Sequence, residues 1–353
     1  MISENSLSDY GLESLFCREN TSAVRALATI GIMFCHLSET MTPDSLNPFI
    51  VFLYTGYIPV SLFFFFSGFN LFYGFLNNPD GWRKGFWRKK FFRIYLPFLF
   101  ANAVYQIFNW INGIGPFQIR GVIHYLLGID LLNSTLWYVQ SIILLYFLSY
   151  FAFRFVKIIC KADASEMILT FTAVVIMAFY YVVYSRYGAY LDGYSNVPVP
   201  FFIGAIIVIW RKRLFPLWLR YRDYIFLFSL FLLCWSLAAQ YVFDLKLKIN
   251  GFDVYVLIAT VAAPIAAMTI LFGKQVQIPF LNLVSKYSFE LYLLHAPCYR
   301  FFRYVINIEN NFLYLSAYLI SDIALAVALN KICSFLSRIT TKKVQEKCHA
   351  VNC

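Results

Sequence analysis

Charged residues are scarce in this chain: only 13% of its 353 residues are Asp, Glu, Lys or Arg, while 61% are hydrophobic and 20% aromatic. An ordinary soluble domain carries roughly 25% charged residues, so the scarcity excludes a soluble globular or disordered protein. There is no CxxC pair and no disulfide framework among the eight cysteines. Cys35, Cys234, Cys298 and Cys333 fall inside apolar runs, and Cys17, Cys160, Cys348 and Cys353 fall in segments assigned to the cytosol. A Gly-rich phosphate loop, a GxSxG elbow and any cluster with metal-ligand spacing are also missing, so no metal is expected. The N-terminus carries Glu4, Asp9, Glu13 and Glu19 and lacks a basic region followed by a small-residue cleavage site, so an uncleaved first helix is expected.

What the chain has instead is long apolar runs such as Phe49 to Phe75 and Tyr224 to Phe243. A membrane-spanning barrel needs ~10-residue segments that alternate apolar and polar, and these runs do not alternate. Helices must therefore span the bilayer. The formal net charge of +11 would suit nucleic acid, but the apolar runs separate the basic residues, so no nucleic-acid partner is expected.

Ten spans are predicted: Thr21 to Leu37, Phe49 to Phe75, Phe91 to Trp110, Leu136 to Val156, Met167 to Ser185, Val197 to Trp210, Tyr224 to Phe243, Val254 to Phe272, Pro279 to Phe302 and Phe312 to Leu336. The sixth is short of a full crossing, with Pro198 and Pro200 at its start. With the N-terminus in the cytosol, all but six of the 29 Lys and Arg fall on the cytosolic side. Those left outside are Arg120, Arg186, Lys246, Lys248, Arg300 and Arg303, a bias that places both termini inside. The expected fold is thus an all-α polytopic membrane bundle of about ten helices. Its parts are a cytosolic segment over residues 1–20, a transmembrane domain over 21–336 and a basic cytosolic tail over 337–353. The apolar stretch Gly121 to Leu132, too short to cross, reads as an interfacial or re-entrant helix.

Titratable residues inside spans are costly and mark function by default. Here they are Arg25, His36, Glu290, His295 and Asp322. Arg25 and His36 stand eleven residues apart, three turns plus about 20°, which puts them on one helical face ~16.5 Å apart. The alternative is that Arg25 snorkels to inner headgroups while His36 caps the outer end near Glu39. His295 lies about fifteen residues into the ninth span, at a depth matching His36, with Ser288 and Tyr292 on its face. That hydroxyl-rich face suits an acceptor site, or else it is an interhelical hydrogen-bond cluster. The stretch Trp82 to Pro97 packs Arg83, Lys84, Arg88, Lys89, Lys90 and Arg93 at the mouth of span three. It fits a positive-inside flank, and equally a dock for a phosphorylated cofactor. Asp322 either pairs with a histidine or arginine or caps a later-starting helix.

Taken together, these residues resemble a known family. The segment VRALATIGIMFCH (Val24 to His36) resembles the Arg-x10-His signature of first helices in the acyltransferase type 3 family of integral membrane acyltransferases. Four more blocks look like the same family in the same order: IPVSLFFFFSGFNL (Ile58 to Leu71), RKKFFRIYLP (Arg88 to Pro97), STLWYVQSIILLY (Ser134 to Tyr146) and VSKYSFELYLLH (Val284 to His295). The basic block departs from many members in having Lys89 and Lys90 where arginine is common.

The resemblance implies transfer of an acyl group, most often acetyl, from cytosolic acyl-coenzyme A to a hydroxyl of a cell-envelope carbohydrate or lipid-linked sugar, in a bacterial inner membrane. In that reading Arg88, Lys89, Lys90 and Arg93 hold the coenzyme A phosphates, and His36 and Arg25 form the catalytic face. His36 is the general base or a transient acyl carrier. His295, Tyr292, Tyr138, Trp137 and Ser288 are candidates for oxyanion stabilisation or acceptor binding, and Glu39 or Asp322 for orienting the base. The rival reading is a transporter or flippase for a lipid-linked or acylated glycan, with the same Arg and His lining a permeation route.

Overall fold

A computed structural model describes residues 18–38, 55–79, 81–111, 124–125, 133–160, 164–187, 196–249, 252–271 and 276–351. Twelve helices and one minimal hairpin are the principal elements. They are α1 (Arg18–Ser38), α2 (Tyr57–Asn77), α3 (Phe86–Ile111, with a wide π-type turn at Phe91–Tyr95), α4 (Trp137–Cys160), α5 (Glu166–Tyr187), α6 (Val199–Ile209), α7 (Arg211–Arg220), α8 (Arg222–Tyr241), α9 (Val254–Ile270), α10 (Pro279–Lys286), α11 (Ser288–Arg300) and α12 (Asn311–Val351). Between α8 and α9, β1 (Lys248–Ile249) pairs antiparallel with β2 (Phe252–Asp253).

Every predicted span has a helix. Seven are long and apolar enough to cross a bilayer: α1 to α5, α8 and α12. The sixth and eighth spans are the shorter apolar helices α6 and α9. The ninth is divided at Tyr287 into α10 and α11. Proline sets the start of α6, where Pro198 is the N-cap and Val199 the first helical residue, because proline fixes φ and lacks an N–H. Helix α12 runs on past Leu336 to Val351, so the expected tail is helical. Of the predicted interfacial stretch, only His124 and Tyr125 fall within the described residues, and both are helical.

The chain divides into two compact units. The first holds α1 as far as Cys35, α2 and the chain from Gln140 to Lys286. Its tightest crossing joins α2 to α6. A Cβ placed on Gly68 would overlap the backbone carbonyl of Phe201, and one on Gly204 would overlap that of Phe65. Two glycines on facing helices let the backbones touch, the device by which membrane helices associate where lipid removes the hydrophobic drive. Asn20 ties the start of α1 across the unit, donating to the Leu271 carbonyl at 3.1 Å and accepting from Val276 N–H at 3.1 Å. Asp253 caps α9 by accepting from the N–H groups of Tyr255 and Val256. On α4, Phe147, Phe151, Phe155 and Ile158 form an exposed stripe at helical spacing, the surface a bilayer would cover.

The second unit holds the last turn of α1 from His36, α3 from its start, the turn leading into α4, and α11 and α12. Helices α3, α11 and α12 pack on one another. Asn330 of α12 donates to the buried Glu290 of α11 at 2.8 Å, and Tyr314 of α12 donates to the Tyr299 carbonyl at 3.3 Å. Asp322 lies well inside α12, since the helix begins at Asn311, so it is not a cap. It is fully buried beside Tyr318 and the Cys298 thiol, a weak donor.

Candidate active site

The second unit brings two histidines face to face. Helix α1 is continuous from Arg18 to Ser38 and delivers His36 in its last turn. Helix α11 is built of buried residues from Leu291 to Tyr299 and delivers a fully buried His295. Their rings stack with centroids 5.1 Å apart and planes 30° apart.

His295 is held by its own helix. Its Nδ1 lies 2.5 Å from the carbonyl oxygen of Tyr292, one turn earlier. A carbonyl only accepts, so Nδ1 carries the hydrogen, and in the neutral ring Nε2 presents a lone pair. Nε2 is buried and has no hydrogen-bond partner among the described residues. Backbone thus does here what a carboxylate does in a catalytic triad, fixing tautomer and ring orientation. Asp322, the one described candidate for that task, faces Cys298 and Tyr318 instead. Glu39, the other, lies outside the described residues.

Tyr292 is fixed in turn. Its hydroxyl donates to the backbone carbonyl of Thr135, and the edge of its ring meets Tyr138 at 5.6 Å between centroids. The acceptor is presented by a short 3-10 turn, Ser134–Leu136, that leads into α4. Asn133 caps this turn, its side-chain oxygen accepting from Thr135 N–H at 2.9 Å. Tyr105 of α3 completes the support, its hydroxyl 3.4 Å from that of Thr135. Asn133, Thr135 and Tyr105 are supporting residues that sequence reasoning did not single out. The signal present was Asn-Ser-Thr directly before an apolar run, a helix-start pattern; Tyr105 carried none.

The remaining predicted residues are placed as follows. Trp137, next to Tyr138 in the first turn of α4, is buried, as is Ser288 at the first position of α11. Arg88, Lys89 and Arg93 are exposed at the start of α3, and the Lys90 ammonium sits 5.6 Å over the Phe86 ring. Gly85, in the left-handed region at φ 68°, turns the chain into that helix. Arg25 belongs to the first unit, where its guanidinium donates within its own helix, to the Thr21 carbonyl at 3.3 Å and the Ser22 hydroxyl at 3.4 Å. Among the described residues no cluster of three His, Cys, Asp or Glu is arranged to hold a metal ion.

Long apolar helices, together with a buried, backbone-oriented histidine, define an integral membrane protein with a centre fit for acid–base chemistry. Comparison with known families then names the group: the family model Acyl_transf_3, an acyltransferase domain, matches residues 20–331, and the chain belongs to the acyltransferase type 3 family. It is a membrane acyltransferase. No curated protein and no solved structure matches it significantly.

Proposed function

We propose that this protein moves an acetyl or other acyl group from cytosolic acyl-coenzyme A to a hydroxyl of a cell-envelope carbohydrate, such as O-antigen, capsule or exopolysaccharide. The protein would lie in a bacterial inner membrane, with ten crossings and both termini inside. The single observation that carries this reading is the stacked pair of His36 and His295, with a buried ring nitrogen offered as a proton acceptor.

The chemistry follows from which donors are already used. The hydroxyl oxygen attacks the thioester carbon, the hydroxyl proton passes to an imidazole, and the carbon–sulfur bond breaks. The sulfur leaves as coenzyme A thiol once it has taken a proton. His36 and His295 share the acid–base work, which contributes ~10²- to 10⁴-fold. Tyr292 donates to the Thr135 carbonyl and His295 Nδ1–H to the Tyr292 carbonyl, so these two serve the base rather than the oxyanion. Trp137, Tyr138 and Ser288 are assigned to the carbohydrate and the developing oxyanion.

Helix α3 supports the donor side of the proposal. It carries Arg88, Lys89, Lys90 and Arg93 at its start and Tyr105, against Thr135, further on. Arg93 and Tyr105 are twelve residues apart, about 18 Å of helix, a separation suited to a cofactor whose phosphates lie remote from its thioester. Guanidinium groups grip phosphates bidentately, so Arg88 and Arg93 are the principal contacts and the lysines add charge. Arg25 is assigned to the route of the acyl donor along α1.

The test is transfer itself. Membranes from a host lacking the gene, carrying wild type or His36→Ala at matched levels, receive acetyl-labelled acetyl-coenzyme A. Label is expected in envelope carbohydrate with wild type only. Equal labelling by both would remove His36 from the mechanism. No labelling by either, while deletion of the gene still alters the envelope glycan, would favour a different acyl donor or a transporter for a lipid-linked or acylated glycan.

A further inference from the structure

The helix between α6 and α8 has no part in the proposed reaction. Helix α7, with sequence RKRLFPLWLR, contains four cations and no acid; Tyr221 separates it from Arg222, which pairs with Asp223 at 3.1 Å. One side is fastened to the first unit. Arg211 donates to the Val208 carbonyl at 3.1 Å and to the Asn77 side chain at 3.5 Å. Leu214, Phe215 and Trp218 share that half-buried side, and the preceding Trp210 donates to Thr170 at 2.9 Å.

The other side is exposed and cationic. Lys212, Pro216 and Arg220 recur every four residues, which aligns them along one face, and all three are exposed. Arg213 borders this face with its side chain 71% exposed, though it also reaches Glu166 at 3.3 Å. Leu217 is 53% exposed beside them.

Its neighbours set the depth of this face. Helix α8, which starts one residue later, is long and apolar enough to span and exposes Leu227, Phe228 and Phe231. Its beginning carries the exposed rings of Tyr221 and Tyr224, residues that favour the headgroup level of a bilayer. A helix docked at that level, with cations and a leucine turned away from the protein, meets phosphate groups and the edge of the acyl region.

We propose that α7 is a membrane-surface helix that binds anionic phospholipid headgroups through Lys212, Arg213 and Arg220, with Leu217 entering the acyl boundary. Complementarity of charge selects the occupant: positive side chains at the surface attract anionic lipid, and the attraction is screened by salt. The inference does not depend on the reaction proposed above.

The full-length protein in nanodiscs of phosphatidylcholine, with and without phosphatidylglycerol, provides the test. Phosphatidylglycerol is expected to raise the thermal unfolding midpoint of wild type, and raised ionic strength to remove that gain. A Lys212→Gln/Arg220→Gln variant, which leaves the packed side and the Arg213–Glu166 pair intact, should lose at least half of the gain. A Lys246→Gln/Lys248→Gln control, matched in charge, should keep it. An undiminished gain in the α7 variant, an equal loss in the control, or no gain in wild type would overturn the proposal. So would reproduction of the gain by inorganic phosphate in phosphatidylcholine discs, which would make α7 a site for free phosphate.

Discussion

The rings of His36 and His295 stack at 5.1 Å between centroids although 259 positions of sequence separate them. One comes from the last turn of α1 and the other from the middle of α11. If the two imidazoles handle one proton between them, their removal is not additive. His36→Ala and His295→Ala are each expected to lower acyl-coenzyme A-dependent labelling ~10²- to 10⁴-fold. The double variant should fall little below the worse single one. Losses that multiply, measured at matched protein levels, would mean that the two histidines act independently.

Tyr292 supports that pair in two ways, through its hydroxyl on Thr135 and its carbonyl beneath His295. Tyr292→Phe keeps the carbonyl but leaves the Thr135 oxygen without its donor. A buried acceptor left unpaired costs about 1–3 kcal/mol. A lower unfolding midpoint in detergent is expected, with turnover reduced less than in His295→Ala. Turnover as low as that of His295→Ala, in a protein of unchanged stability, would instead give the Tyr292 hydroxyl a direct chemical role.

The cations at the start of α3 invite a kinetic test. Arg88→Gln/Arg93→Gln is expected to raise KM for the acyl-coenzyme A several-fold while leaving kcat within about twofold, the pattern of a lost binding contact. Added salt should raise the wild-type KM in the same direction. An unchanged KM would place the phosphates elsewhere.

Gly68 and Gly204 give the structural prediction. A methyl group on either would press into the facing backbone, which cannot step aside as a flexible side chain does. Gly68→Ala and Gly204→Ala are each expected to destabilise by several kcal/mol or to prevent accumulation in the membrane. Wild-type unfolding curves for both variants in detergent would show that α2 and α6 do not cross so closely.

Asp322 is a buried carboxyl whose described neighbour is the Cys298 thiol, a weak donor, so the fold gains little from it. Replacing such a group by an apolar residue of similar size is often neutral or stabilising. Asp322→Leu is therefore expected to unfold no earlier than wild type. A fall of more than about 2 kcal/mol in stability would reveal an interaction that holds α12 in place.

Much of this protein is set by its sequence alone, because the bilayer limits the choices. Backbone groups in hydrocarbon must be satisfied within one helix, so an apolar run of sufficient length becomes a helix wherever it lies. The runs therefore located a helix for each predicted span, and the ordered motifs from Val24 to His295 identified the family. Local chemistry also reads directly, as at Pro198 and Asp253, where φ restriction and side-chain capping act over a few residues.

Tertiary structure decided what depends on residues far apart in the chain. Periodicity gave His295 a depth and a face but neither a neighbour nor a tautomer. Those came from its approach to His36 and from the Tyr292 carbonyl. Tyr105, Asn133 and Thr135 became part of the site only because packing set α3 and the turn before α4 against α11. The division of the ninth span at Tyr287 and the withdrawal of Asp322 toward Cys298 were settled in the same way. The sequence specifies helices because their hydrogen bonds are local; the contacts that make a site are not.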